Sequence, residues 1–171
     1  MIRIGVTGPE STGKSTLSKE LQKHYNCAMV DEFARDYLEK RGGKYGINDL
    51  DIIAQNQFNN IHSVFPNQQL LVCDTELTVL KIWSEFKYDS CSPIIQQLLN
   101  KQQIDYYFLC DIDLPWEEDP LREHPNQRGE LFELYQQSLD NRKCNYTILK
   151  GDNQQRFTQA VKIIDELLST I

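Results

Sequence analysis

The stretch Gly8-Pro9-Glu10-Ser11-Thr12-Gly13-Lys14-Ser15 places two glycines, one lysine and one hydroxyl in the order G-x-x-x-x-G-K-[ST]. The glycines let the backbone turn without Cβ clashes, so successive N–H groups point inward at an anion on the positive end of the helix that follows. Lys14 would then reach the outer phosphates of a nucleoside triphosphate, and the Ser15 hydroxyl would hold Mg²⁺. Gly8, Glu10, Ser11, Thr12, Gly13, Lys14, Ser15 and Thr16 are the expected nucleotide-binding residues, with ATP and Mg²⁺ as cofactors.

Carboxylates and guanidinium groups supply the rest. Asp74 follows the apolar run Leu70-Leu71-Val72-Cys73 and suits the same metal, through water, opposite Ser15, or a substrate hydroxyl; its other use would be to cap the next helix. Asp31 and Glu32 follow Ala28-Met29-Val30. Asp31 is expected to orient or deprotonate an acceptor hydroxyl with Glu32 beside it, although the sequence leaves open which is the base, and both also suit a helix start. Arg35 could touch a phosphate or pair with Glu39 at i, i+4. Arg122 and Arg128 flank Pro125; closure of their segment would bring them onto a transferring phosphoryl group, while a solvated role is the plainer alternative. Trp116, Trp83 and Tyr88 could stack on an aromatic ring or cation, with Trp83 better placed for a core. Asp152 and Asn153 follow the last strand, where nucleotide kinases often contact adenine. His24, His62 and His124 form no cluster and read as surface residues.

These groups need a scaffold of alternating strands and helices. Ile2, Ile4 and Val6 alternate in a strand before the glycine loop, and Leu17, Leu21 and Tyr25 follow it at helical spacing. Further strands are expected at 28–30, 70–73, 104–110 and 146–149, separated by helices and ending in an amphipathic one through Leu168. Asn48 is expected to start a helix whose apolar seam, Leu50, Ile53, Gln57, Phe58, Ile61 and Phe65, runs towards Pro66. Such alternation means an α/β fold with a parallel sheet covered on both faces, and ligands gather at the carboxyl ends of its strands. The segment 111–128, with Pro115, Pro120 and Pro125 and no clear period, reads as a long loop and a lid.

The 171 residues suit a single domain, 1–171. A net charge of −7, from 18 basic and 25 acidic residues, argues against broad nucleic-acid contact. No apolar run approaches the ~20 residues of a spanning helix, so no membrane partner is expected. Five widely spaced cysteines without a C-x-x-C pair suit reduced thiols, and a strand opening at Ile2 leaves no room for a signal peptide; the expectation is cytoplasmic. The sequence does not set an oligomeric state.

Almost the whole chain resembles the ribosylnicotinamide kinase domain of NadR-type proteins and related single-domain ATP-binding proteins. The resemblance rests on Gly8 to Thr16, Asp31-Glu32-Phe33-Ala34-Arg35, Cys73-Asp74-Thr75, Asp111-Ile112-Asp113-Leu114-Pro115-Trp116 with Asp119-Pro120-Leu121-Arg122, and Gly151-Asp152 with Arg156-Phe157. It implies a three-layer P-loop NTPase fold with a five-stranded core and a closing lid, Mg²⁺, and ATP-dependent phosphorylation of a nucleoside, nicotinamide riboside. NadR-type proteins carry an adenylyltransferase domain ahead of this one; with Met1 opening directly into a strand, adenylyl transfer and repression are not carried over. The rivals are a nucleotide-dependent regulator or ATPase, and a kinase for another nucleoside or nucleotide. A GTPase N-K-x-D motif is absent, Asn100-Lys101 being followed by Gln102-Gln103, as is a paired acid after the third strand; both favour a kinase.

Overall fold

The computed structural model describes residues 1–170. Its elements follow in chain order as β1 (Ile2–Thr7), α1 (Lys14–Tyr25), β2 (Ala28–Val30), α2 (Phe33–Glu39), α3 (Ile47–Ile61), β3 (Leu70–Asp74), α4 (Leu77–Tyr88), α5 (Pro93–Lys101), β4 (Tyr106–Cys110), α6 (Arg128–Asn141), β5 (Tyr146–Leu149) and α7 (Asn153–Leu168). The strands form one sheet in the order β2-β3-β1-β4-β5, and every pairing is parallel. All five residues of β3 are buried, as a central strand covered on both faces requires.

Strand alternation sorts the core into two layers. Leu70 and Val72 join Ile4, Val6 and Phe108 beneath α1 and α7, where Leu17, Leu21, Ala160 and Ile164 pack. Leu71 and Cys73 face the opposite layer, with Leu50 and Ile53 of α3, Leu77 and Leu80 of α4, and Leu98 of α5. α6 extends that layer through Leu131, Tyr135 and Leu139 against Tyr107 and Leu109.

Local chemistry sets the helix ends. Ser92 accepts the Ile95 N–H at 3.2 Å with Pro93 in the first turn of α5. Asp152 and Gln155 exchange bonds across the start of α7, at 2.8 and 2.9 Å. α3 differs from expectation: it opens at Ile47, with the Gly46 N–H on Asp49, and stops at Ile61 rather than continuing towards Pro66. There Ser63 Oγ donates to the Asn59 carbonyl at 2.9 Å and His62 Nδ1 lies 2.8 Å from the Phe58 carbonyl, so side chains take up the last turn's acceptors. The segment 111–127 contains neither helix nor strand.

Candidate active site

The carboxyl ends of β1, β3 and β4 lie side by side, and the glycine loop rises from the first. Gly8 has φ +131, and a Cβ there would lie 2.9 Å from the Cys110 carbonyl oxygen, so no side chain fits between the loop and the end of β4. α1 begins at Lys14, which turns its free first-turn amides towards the loop. Lys14 Nζ spans the loop, donating to the carbonyls of Gly8 at 2.9 Å and Pro9 at 2.6 Å.

Two carboxylates face this loop. Asp74 closes β3, is 3% exposed, and leaves Oδ1 without a hydrogen-bond partner. Burial pushes its pKa up, the Ser15 hydroxyl and Lys14 pull it down, and Asp31 adds an upward push. Asp74 does not cap α4; Glu76 does, accepting the Thr78 N–H at 2.7 Å. Glu32 lines the cleft, and burial raises its pKa, with Lys14 opposing and Asp74 reinforcing the rise. Asp31, expected to be the base, is exposed and is not among the cleft-lining residues. β2 ends at Val30, and the two residues after it part, Asp31 exposed and Glu32 half-buried against the cleft.

The 111–127 segment lies over the loop, held by residues that the motif leaves variable. The Glu10 carboxylate accepts the N–H groups of Glu123 at 3.0 Å and His124 at 3.0 Å. Ser11 Oγ accepts the Glu117 N–H at 2.8 Å and an Arg122 N–H at 3.3 Å, while Arg128 donates to the carbonyls of Ser11 at 3.1 Å and Leu114 at 2.9 Å. Arg122 lines the cleft; Arg128 instead ties the segment to the loop. Arg35 makes the expected pair with Glu39 at 3.5 Å, pairs as well with Asp119 at 3.1 Å, and lines the cleft. Lys87 bonds Glu123 at 2.7 Å, and Tyr45 donates to Glu123 at 2.7 Å and accepts from Trp83 Nε1 at 2.9 Å.

Between loop and cover lies a cleft of about 360 Å³, polar at the phosphate loop and apolar at the other end, where Val79, Trp83, Phe86, His124, Leu131 and Tyr135 line it. Trp116, expected to stack on a substrate, is not among the lining residues; its ring lies 6.0 Å from the Arg122 guanidinium and 5.8 Å from that of Arg128. On the α7 side Asn153 lines the cleft, whereas Asp152 is spent on capping.

A family model described as an AAA domain matches residues 3–156. The chain belongs to the AAA domain family. It is 26% identical to the trifunctional NAD biosynthesis/regulator protein NadR of Escherichia coli, over 96% of this chain and 42% of that protein, so it spans less than half the length of this relative. Two solved NadR structures superpose on it. One, in complex with NR, has a TM-score of 0.83 at 20% identity, covering 96% of this chain and 50% of that one. The other, in complex with NAD and AMP-PNP, has a TM-score of 0.81 at 20% identity, covering 98% and 49%. A thymidylate kinase from Ehrlichia chaffeensis shares the fold, with a TM-score of 0.71 at 13% identity over 95% of this chain and 98% of that one.

This AAA domain also uses Arg156, which the resemblance named without a role. Arg156, 1% exposed, donates to the carbonyls of Thr12, Gly151 (2.9 Å) and Asp111 (2.9 Å) and to the Asp113 carboxylate. It thereby joins the phosphate loop to the turns after β4 and β5. Its Asp113 partner is exposed, so the loss falls on the buried carbonyls left without a donor, at roughly 1–3 kcal/mol for each such group. Arg156→Met is expected to lower Tm by about ten degrees and to weaken nucleotide binding, read by thermal unfolding and titration. A Tm and an affinity equal to wild type would contradict this role.

Proposed function

We propose that this chain is an ATP-dependent kinase that phosphorylates the 5′-hydroxyl of nicotinamide riboside. The observation that carries the reading is the placement of the Glu32 carboxylate in one covered cleft with the phosphate loop and Lys14. Phosphoryl transfer asks the protein mainly for positioning and charge compensation, and the cleft supplies both. The loop amides and Lys14 bind the phosphates, Arg122 offsets charge from the cover, and Glu32 accepts the proton of the attacking hydroxyl. Arg128 and Glu10 hold the cover in place, which keeps competing water from the transferred group.

Ser15 and Asp74 fit Mg²⁺. Both offer hard oxygen donors, Asp74 Oδ1 is buried without a partner, and Mg²⁺ typically takes one or two protein ligands and keeps the rest as water and phosphate. When bound, the ion would offset the charge on the phosphate oxygens. The ring of Trp83, with Phe86 and Tyr135, suits a pyridinium cation at the far end. Similarity to NadR over nearly the whole chain supports the same acceptor.

A coupled ADP-release assay over a panel of nucleosides and nucleotides tests this. Nicotinamide riboside is expected to give the highest kcat/KM, with release falling at least tenfold when no acceptor is present. A higher value for another nucleoside would move the acceptor, and release indifferent to acceptor would make the protein an ATPase or regulator.

A further inference from the structure

The core-facing stripe of α3 buries Leu50, Ile53, Ala54 and Ile61, and Gln57 stands in the same stripe, one turn from both Ile53 and Ile61 and only 1% exposed. An amide buried among apolar side chains is costly unless it is bonded, and both of its ends are. Oε1 accepts the Phe33 N–H at 2.9 Å, and Nε2 donates to the Thr75 carbonyl at 3.4 Å. Phe33 is the residue after Glu32; Thr75 is the residue after Asp74. Thr75 is buried at φ +70, a left-handed conformation that β-branched residues avoid, with its N–H on the Val6 carbonyl at 3.1 Å. The two turns bring like charges together, since Asp74 pushes the Glu32 carboxyl upward.

We propose that Gln57 is a positioning residue, a neutral clamp that sets the Glu32 turn against the Asp74 turn and so fixes the acceptor side of the cleft relative to the phosphate side. The site demands one acceptor and one donor on a single uncharged side chain, which leucine, an ionised glutamate and lysine cannot supply. The effect on turnover rests on the kinase reading above; the effect on the two turns rests on geometry alone.

Gln57→Leu keeps the volume and removes both bonds. Amide exchange at Phe33 is expected to quicken about a hundredfold relative to the core strands. The same variant should lower kcat tenfold or more, because small misplacements of reacting groups cost rate steeply, while the nucleotide Kd stays within twofold because the phosphate loop is untouched. Ile53→Val, one turn away, loosens the same packing and should leave kcat within twofold. Should the leucine variant fail to fold, Gln57→Met, which is unbranched, of similar length and lacks both the amide donor and the amide acceptor, is measured in the same way and is expected to show the same loss of kcat and of Phe33 protection. Unchanged kcat together with a protected Phe33 amide in Gln57→Leu would overturn the proposal, as would a parallel loss of kcat in Ile53→Val. If the wild-type protein transfers no phosphoryl group to any acceptor, the kinase reading fails, and exchange at Phe33 still decides the clamp.

Discussion

Lys14→Ala is expected to lower acceptor-dependent phosphoryl transfer by about a thousandfold or more, the scale seen when a preorganised donor to developing phosphoryl or oxyanion charge is removed. Lys14 Nζ is the cation that lies across the glycine loop, bonded to the Gly8 and Pro9 carbonyls. Its loss removes the charge placed to meet the outer phosphates while the helix and the sheet beneath stay packed, because Leu17 and Leu21, not Lys14, carry α1's share of the core. The checks are steady-state turnover, nucleotide titration and thermal unfolding on the same preparation. Turnover within tenfold of wild type would show that the loop holds its ligand by backbone amides alone.

Glu32→Gln is expected to lower kcat by roughly 10²–10⁴-fold, the usual contribution of a positioned base, with nucleotide affinity little changed. Asp31→Asn should change kcat far less, because Asp31 is exposed and does not line the cleft. The pH profile carries a second check. Burial raises Glu32, with Lys14 opposing and Asp74 adding to the rise, so the group keeps its proton at a pH where a free glutamic acid has lost it. A base must be ionised to work. Activity should therefore be lost on acidification at a pH above the ordinary glutamate range, and the part of that acid limb owed to Glu32 should vanish in the glutamine variant. An acid limb identical in wild type and Glu32→Gln would remove Glu32 from the role.

What could be read from the chain follows how strongly geometry restricts residue type. The glycine loop was legible because the approach to the Cys110 carbonyl excludes a side chain at Gly8, and no other residue type meets that condition at positive φ. The strands were legible because β3 is covered on both faces and must be apolar throughout. The choice between Asp31 and Glu32 was harder, since both lie past the end of β2, where strand alternation no longer sorts side chains. Trp83, weighed for stacking but favoured for a core, and Phe86 and Tyr135 were obscured for another reason. A helix that lines an apolar cleft has the same periodicity as one that fills a core, so the sequence cannot separate the two. His124 gave no signal, because its place depends on the Glu10 carboxylate holding its backbone. Arg156 and Gln57 did leave a trace: each stands at a core position, Arg156 four residues before Ala160 and eight before Ile164, Gln57 between Ile53 and Ile61. A polar group in an apolar stripe must find partners, and in both cases backbone groups of the turns that carry the site are among them.

A crystal structure with AMP-PNP, Mg²⁺ and nicotinamide riboside tests the central claim most directly. The account predicts the polyphosphate on the Gly8 to Thr16 amides, the pyridinium ring at the Trp83 end, and the riboside 5′-hydroxyl within about 3 Å of the Glu32 carboxylate and facing the γ-phosphate. A riboside bound outside the cleft, or one whose 5′-hydroxyl points away from Glu32 with the nucleotide in place, would contradict it.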